Sequence, residues 1–263
     1  MNLKNITLTM MLIVAMTTAC IAVLTGTAAD VTGAQAKPQV DSETSTTYTN
    51  AFMSEHCKSW SSTGGNRYWN LTPGRTTVLK GIVDREPQTN TITVIDKTIN
   101  LGGIEARVVN DTVRNSNTGE LVEVAFDYFA ICKDSNSVFY FGEYTTDYTE
   151  TPPNHQGSWA HSINGTAGVI MPGINLEGAR YYQELAPPNA VDRGEVTAVN
   201  LNFSGYTGCI KIKETSELEP GVEEFKIYCP VVGLVDDNGS KLVSVSSPPT
   251  AAVPPNTPAS CRG

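Results

Sequence analysis

Seven side chains in the middle of the chain have types that could do chemistry together: Glu143, Asp147, Trp159, Tyr181, Tyr182, Glu184 and Asp192. Hard cations require several carboxylate oxygens at once, so Glu143, Asp147, Glu184 and Asp192 form a candidate set for Ca2+, the one cofactor this composition suggests. Glu143, Trp159, Tyr181, Tyr182 and Glu184 combine charge with aromatic surface, the mixture that lines small-ligand pockets. No fixed Ca2+-loop spacing joins them, and a solvated acidic face would have the same composition.

A second group is His155, Ser158 and His161. Imidazole exchanges protons near neutral pH, which suits a hydrolase using a carboxylate as its acid or base. The run Gln156-Gly157-Ser158-Trp159-Ala160 lacks the flanking glycines of a nucleophile elbow. Polar loop groups are the simpler reading of these three.

The elements that must position such residues read as strands. Period-two alternation marks Thr76 to Val83, Thr91 to Ile95, Ile104 to Val113, and Glu120 to Cys132. In the last of these Val122, Val124, Phe126 and Tyr128 share one face, with Glu123, Ala125 and Asp127 on the other. A turn at Asp134-Ser135-Asn136-Ser137 leads into Val138 to Tyr144, predicting a hairpin. Strands resume at Glu195 to Phe203, Cys209 to Thr215, Val222 to Cys229 and Gly233 to Asp236. Between them, Glu150 to Pro188 is punctuated by Gly and Pro, predicting one long irregular loop of the kind that carries function. No segment has an amphipathic helical pattern. The expected fold is all-β, mainly antiparallel: a curved sheet or half-barrel, or a sandwich. Phe126, Tyr128, Phe139, Tyr140 and Phe141 could line a cavity for an apolar or lipid-like ligand inside such a sheet, although ordinary core packing has the same spacing.

The ends read differently from the middle. Residues 1–29 have the pattern of a signal peptide, with Lys4, an apolar stretch and small residues to Ala29. An uncleaved anchor, or acylation at Cys20 as in a lipoprotein, is the competing reading; Thr17 and the apolar run after Cys20 disfavour acylation. Residues 30–65 are a Thr/Ser-rich leader, and 246–263 a Pro-rich tail, both expected to be disordered. One β-rich domain over 66–245 remains. Without the leader five cysteines are left: Cys57, Cys132, Cys209, Cys229 and Cys261. An exported chain forms disulfides from these by default, and no zinc spacing is present. Cys57 and Cys261 could tie the tails together. Pairing Ile210 with Ile227 and Ile212 with Phe225 keeps apolar side chains on one face. That register puts Cys209 and Cys229 on opposite faces, so their bridge would need a bulge, and Cys132 is an alternative partner for either. Asn-x-Ser/Thr triplets at Asn70, Asn110, Asn164, Asn202 and Asn238 are frequent by chance in a chain this rich in Asn, Thr and Ser. The net charge of −9, with no basic run, excludes nucleic acid as a partner.

Several runs carry a resemblance: Asn66-Arg67-Tyr68-Trp69-Asn70-Leu71-Thr72-Pro73-Gly74, Gly103 to Val109, Val138 to Glu143, Gly168 to Gly173, Gly178 to Glu184 and Glu217 to Tyr228. Together they resemble an uncharacterised family of secreted bacterial β-rich proteins, over roughly 170 residues in one block. The resemblance implies a single domain and brings no activity with it. The chain departs from the family pattern at Thr76-Thr77-Val78, usually aromatic, and at Cys229, usually Ala.

The expected function is extracytoplasmic and non-enzymatic: binding a small or lipid-like ligand, or a protein partner at the cell surface. A carboxylate-dependent hydrolase and a structural component of a surface layer or matrix are the alternatives. Membrane contact is expected only through an uncleaved or acylated N-terminus.

Overall fold

The computed structural model describes residues 47–50 and 54–247. The signal segment, Cys20, Cys261 and nearly all of the Pro-rich tail lie outside the described residues. After a single 3-10 turn at Ser54–His56, all regular structure among the described residues is strand. The first half comprises β1 (Trp60–Ser61), β2 (Thr76–Val83), β3 (Glu86–Leu101), β4 (Ile104–Asn115), β5 (Leu121–Cys132) and β6 (Val138–Asp147). Short strands follow: β7 (Trp159–Ala160), β8 (Thr166–Met171), β9 (Arg180–Tyr182) and β10 (Glu184–Leu185). The chain ends in β11 (Asp192–Phe203), β12 (Tyr206–Ser216), β13 (Glu224–Cys229), β14 (Gly233–Asp237) and β15 (Ser240–Ser246).

The strands form one antiparallel sheet in the order β10-β8-β6-β5-β4-β3-β2-β15-β14-β13-β12-β11-β9, curved into a nearly closed half-barrel. Tight turns make the long hairpins. Asp84 and Arg85 both adopt positive φ between Val83 and Glu86, as a two-residue hairpin whose twist matches its strands requires. Consequently β3 begins earlier than its alternation suggests and runs through Pro87, which sits near the hairpin end. Its irregularity between Val94 and Thr98 is filled by the buried Arg107 guanidinium, which donates to the Ile95 and Lys97 carbonyls and pairs with Asp96.

The curvature is closed by one short segment. Strands β9 and β10 stand at opposite ends of the strand order yet are separated only by Gln183. Tyr181 pairs with Gly194 of β11, while Glu184 pairs with Ala167 of β8. The chain therefore steps from one edge of the sheet to the other and covers both, which removes the open edges that invite aggregation. Gly168 permits the crossing: a Cβ there would lie 2.4 Å from the Gln183 carbonyl oxygen. The predicted irregular loop over Glu150 to Pro188 is thus corrected. It contains the four short strands that seal the barrel, and Gly168 and Gly173 mark close backbone approaches within it.

One end is stoppered by residues 66–75. Asn66 Oδ1 accepts from the Tyr68 and Trp69 amides, and Asn70 Oδ1 from Thr72, folding the loop onto itself. Leu71 is fully buried, Trp69 packs edge-on against Phe129, and the Arg75 guanidinium donates to the Val231 and Val232 carbonyls. The principal core joins this plug to Val94, Ile131, Met171, Ile210 and Ile212.

Two disulfides hold the sheet, Cys57–Cys132 and Cys209–Cys229. The first ties residues 54–65, read from sequence as leader, onto β5, where Trp60 also pairs with Cys132. Cys57 therefore does not join Cys261. The second corrects the expected β12–β13 register by one residue. Ile210 lies opposite Tyr228 and Ile212 opposite Lys226, so Cys209 and Cys229 share a face and bridge without a bulge. Matching isoleucines across the pair misleads because the barrel-facing side of these strands carries Lys226 and Glu214. The other face holds a small separate cluster of Cys209, Ile227, Cys229 and Val235.

Candidate ligand-binding cavity

Strand parity puts charge inside the barrel. On β5 the residues Glu123, Ala125, Asp127 and Phe129 line a cavity of about 330 Å3. Their neighbours across β4, Val109 and Asp111, line it too, because directly opposed residues of an antiparallel pair share a face. The apolar alternation Val122, Val124, Phe126, Tyr128 belongs to the other face.

A bulge then brings two residues of β6 to the same wall. Asp127 opposes Glu143 and Phe129 opposes Tyr140, leaving one extra residue on β6. Simple alternation would send Tyr140 and Glu143 to opposite faces; the bulge points both inward. Gly142 makes it possible, with φ of 130° and the β7 backbone so close that a Cβ would lie 2.3 Å from the Trp159 carbonyl oxygen. The Tyr140 hydroxyl donates to Asp127 Oδ1 at 2.8 Å.

The seam and the far strands complete the lining. Glu184 of β10, 6% exposed, and Asp192 of β11 face the cavity beside Gln183. Opposite stand Glu214, Lys226 and Asp237. Lys226 Nζ lies 2.9 Å from Glu214 Oε2 and 3.8 Å from Asp237 Oδ1, and Gln183 donates to Glu214 at 2.8 Å. Trp69, Phe129, Tyr140 and Tyr228 form an aromatic floor, with Phe129 and Tyr140 stacked at 4.7 Å.

So much negative charge in one enclosure changes its acid–base behaviour. Burial first, then the Glu143 charge, pushes the Asp127 carboxyl up to about 8. Burial, then Glu123, pushes Glu143 up to about 7. Burial raises Asp111 and Glu184 well above the carboxylate range, with Asp127 and Glu143 respectively adding repulsion. Loss of hydration inside the lining, then the charge of Asp147 opposite it on β6, raises Glu123. Among the described residues no lysine, arginine or histidine makes an ion pair with Asp111, Glu123, Asp127, Glu143 or Glu184. Asp111 Oδ2 accepts from Asn90, but its buried Oδ1 has no hydrogen-bond partner in the protein.

Of the seven residues singled out by sequence, the fold gathers Glu143, Glu184 and Asp192 around the cavity. Asp147 lies beyond the lining, accepting from the Thr149 amide and hydroxyl. Trp159 is buried behind Tyr140; its indole N–H lies outside ordinary hydrogen-bond geometry yet still favours the ionised form of Glu184. Tyr181 is fully buried against Gly194, with no partner for its hydroxyl. Tyr182 points elsewhere, donating to Glu217 at 2.7 Å beside Tyr48. Among the described residues the grouping whose ligand atoms converge within 4.8 Å is Cys57, Cys132 and Asp134, and its cysteines are bridged to each other. The four carboxylates proposed for Ca2+ are not gathered so tightly.

The histidines and Ser158 do not line the cavity. His155 contacts the Tyr144 and Thr146 hydroxyls and the Thr145 carbonyl, His161 Nδ1 accepts from the Ala167 amide, and Ser158 Oγ contacts the Thr145 backbone. Phe139 and Phe141 pack against Trp60 and not in the cavity. Asp111, Glu123, Asp127, Glu214, Lys226 and Asp237 were missed as site residues. The available signal was the Glu123-x-Ala125-x-Asp127 alternation, naturally assigned to solvent. No family model, no curated protein and no solved structure matches this chain.

Proposed function

We propose that this is a non-enzymatic extracytoplasmic domain that binds a small ligand inside the barrel. The observation that carries the reading is the cavity itself: about 330 Å3, bounded by the β9–β10 seam and the 66–75 loop, with convergent polar groups over an aromatic floor. Small-molecule sites have this combination, at volumes from ~300 Å3 upward. The charged walls favour a polar ligand over a lipid-like one, since buried carboxylates lose hydration that an alkyl chain does not replace. The two disulfides support an oxidising compartment.

Native mass spectrometry of the protein purified from its own host tests this. A bound small molecule is expected, and Ala125→Phe, which fills the cavity from β5, should expel it. No adduct, or an adduct retained by the filled variant, would contradict the reading.

One observation favours the hydrolase alternative. Asp127 and Glu143 face each other across β5 and β6, and both titrate near neutral pH. One protonated and one ionised carboxyl is the arrangement a general acid and base require.

A further inference from the structure

The acid in the cavity is not evenly compensated. Glu214 and Asp237 share Lys226, whereas Asp111, Asp127, Glu143 and Glu184 line the β4–β6 wall and seam with no ion pair among the described residues, the Lys226 charge offsetting the burial of Asp127 only slightly. Glu184 is 6% exposed and directed into the cavity, and Asp111 Oδ1 is buried and unpartnered. Uncompensated buried carboxylates are costly, and a ligand that brings the missing positive charge removes that cost. A bare metal ion fits poorly, because the carboxylates are not converged on a point. The floor beneath them is aromatic: Trp69, Phe129, Tyr140 and Tyr228 present ring faces and edges within one packed group. Ammonium groups on a hydrocarbon body are recognised by this pairing of carboxylates with aromatic rings, whose faces attract a cation.

Resting on the binding reading above, we propose that the cavity takes a small organic cation: an ammonium on a short hydrocarbon or aromatic body, its charge held by Asp127, Glu143 and Glu184 and its body resting on Trp69 and Tyr140. Lys226 is committed to Glu214 and Asp237, so the far wall repels a second cation less than it attracts one. Binding requires ionised carboxylates; affinity therefore rises with pH through the range where Asp127 and Glu143 lose their protons. Lys226, Asp111, Glu123, Asp192 and Arg75 also face this enclosure and set the field in which they titrate.

The test is calorimetric titration of the full-length protein at pH about 8.5, above the Asp127 and Glu143 values, with 1,4-diaminobutane and 2-phenylethylamine as probes. The neutral partners 1,4-butanediol and 2-phenylethanol keep the shapes and lack the charge. We expect the amines to bind, the alcohols not to, and Glu143→Gln/Glu184→Gln to weaken the amines at least about tenfold. Those amides keep the side-chain volume and remove repulsion, so the variant should fold, which its thermal unfolding reports. Equal binding of amines and alcohols overturns the cation inference, as does no amine binding up to about 10 mM. If host-purified protein nevertheless carries a neutral adduct that Ala125→Phe expels, the cavity reading stands and only the cation inference falls. If neither route yields a ligand, both fall.

Discussion

The two sides of the cavity solve the same problem differently. On the β12–β14 side, Glu214 and Asp237 are partly buried acids held by Lys226, with Gln183 adding a hydrogen bond to Glu214 from the seam. On the β4–β6 side, Asp111 and Asp127 receive neutral donors, Asn90 and Tyr140 respectively, and Tyr140 also favours the ionised form of Glu143. The first side carries its own cation, although burial and the Glu214 charge still raise Asp237. The second has no ion pair among the described residues, and that asymmetry is where the proposed ligand would act. A structural wall settles its charges internally, whereas a binding wall leaves them to its ligand.

The largest effect comes from making the compensated side resemble the other. Lys226→Met leaves Glu214 and Asp237 without their cation. Removing one partner of a buried pair costs roughly 3–5 kcal/mol, and partial exposure of these side chains to the cavity reduces this to about 2 kcal/mol. Chemical denaturation should show that loss at pH 7, with partial recovery in Lys226→Met/Glu214→Gln. An unchanged stability in Lys226→Met would mean the two walls do not differ as described.

The β4–β6 side gives a smaller effect. The native Asp127 carboxyl holds its proton up to about 8, while an ordinary aspartate releases it near 3.8. Between those values the folded chain binds more protons than the unfolded chain. Stability is therefore greatest in mild acid and falls as pH rises from about 4 towards about 8. Glu143, raised to about 7 from 4.5, acts in the same direction. Asp127→Asn should flatten the decline and raise stability at pH 8.5 by about 1 kcal/mol, by removing an unpaired buried charge. Thermal melts from pH 5 to 9 check both. A wild-type melting temperature that rises across this range would contradict the account.

Much of the fold was legible because long strands alternate cleanly. Thr76 to Val83 is a strand with those same ends, and Ile104 to Val113, Glu120 to Cys132 and Cys209 to Thr215 each lie in the expected strand to within a few residues. What escaped is concentrated at the cavity. In β5 the face carrying Glu123 and Asp127 looked like the solvent side because its residues are charged; the barrel turns that face inward. The β12–β13 register slipped by one for the same reason, since matching isoleucines assumes an apolar interior while Lys226 occupies it. The bulge at Gly142 was invisible because it depends on the approach of β7, a contact distant in sequence. Glu143, Glu184 and Asp192 were recognised from type alone. Their partners lie on strands whose pairing only the closed sheet defines.

The claim that the β4–β6 wall is uncompensated is tested most directly by following the carboxyl carbons of Asp127 and Glu143 by 13C NMR as pH is varied. The two should titrate as a coupled pair with apparent values near 8 and 7, and Glu143→Gln should lower the remaining Asp127 value. If both carboxyls instead ionise in the ordinary range of about 4, the wall carries no unmet charge and the account is wrong.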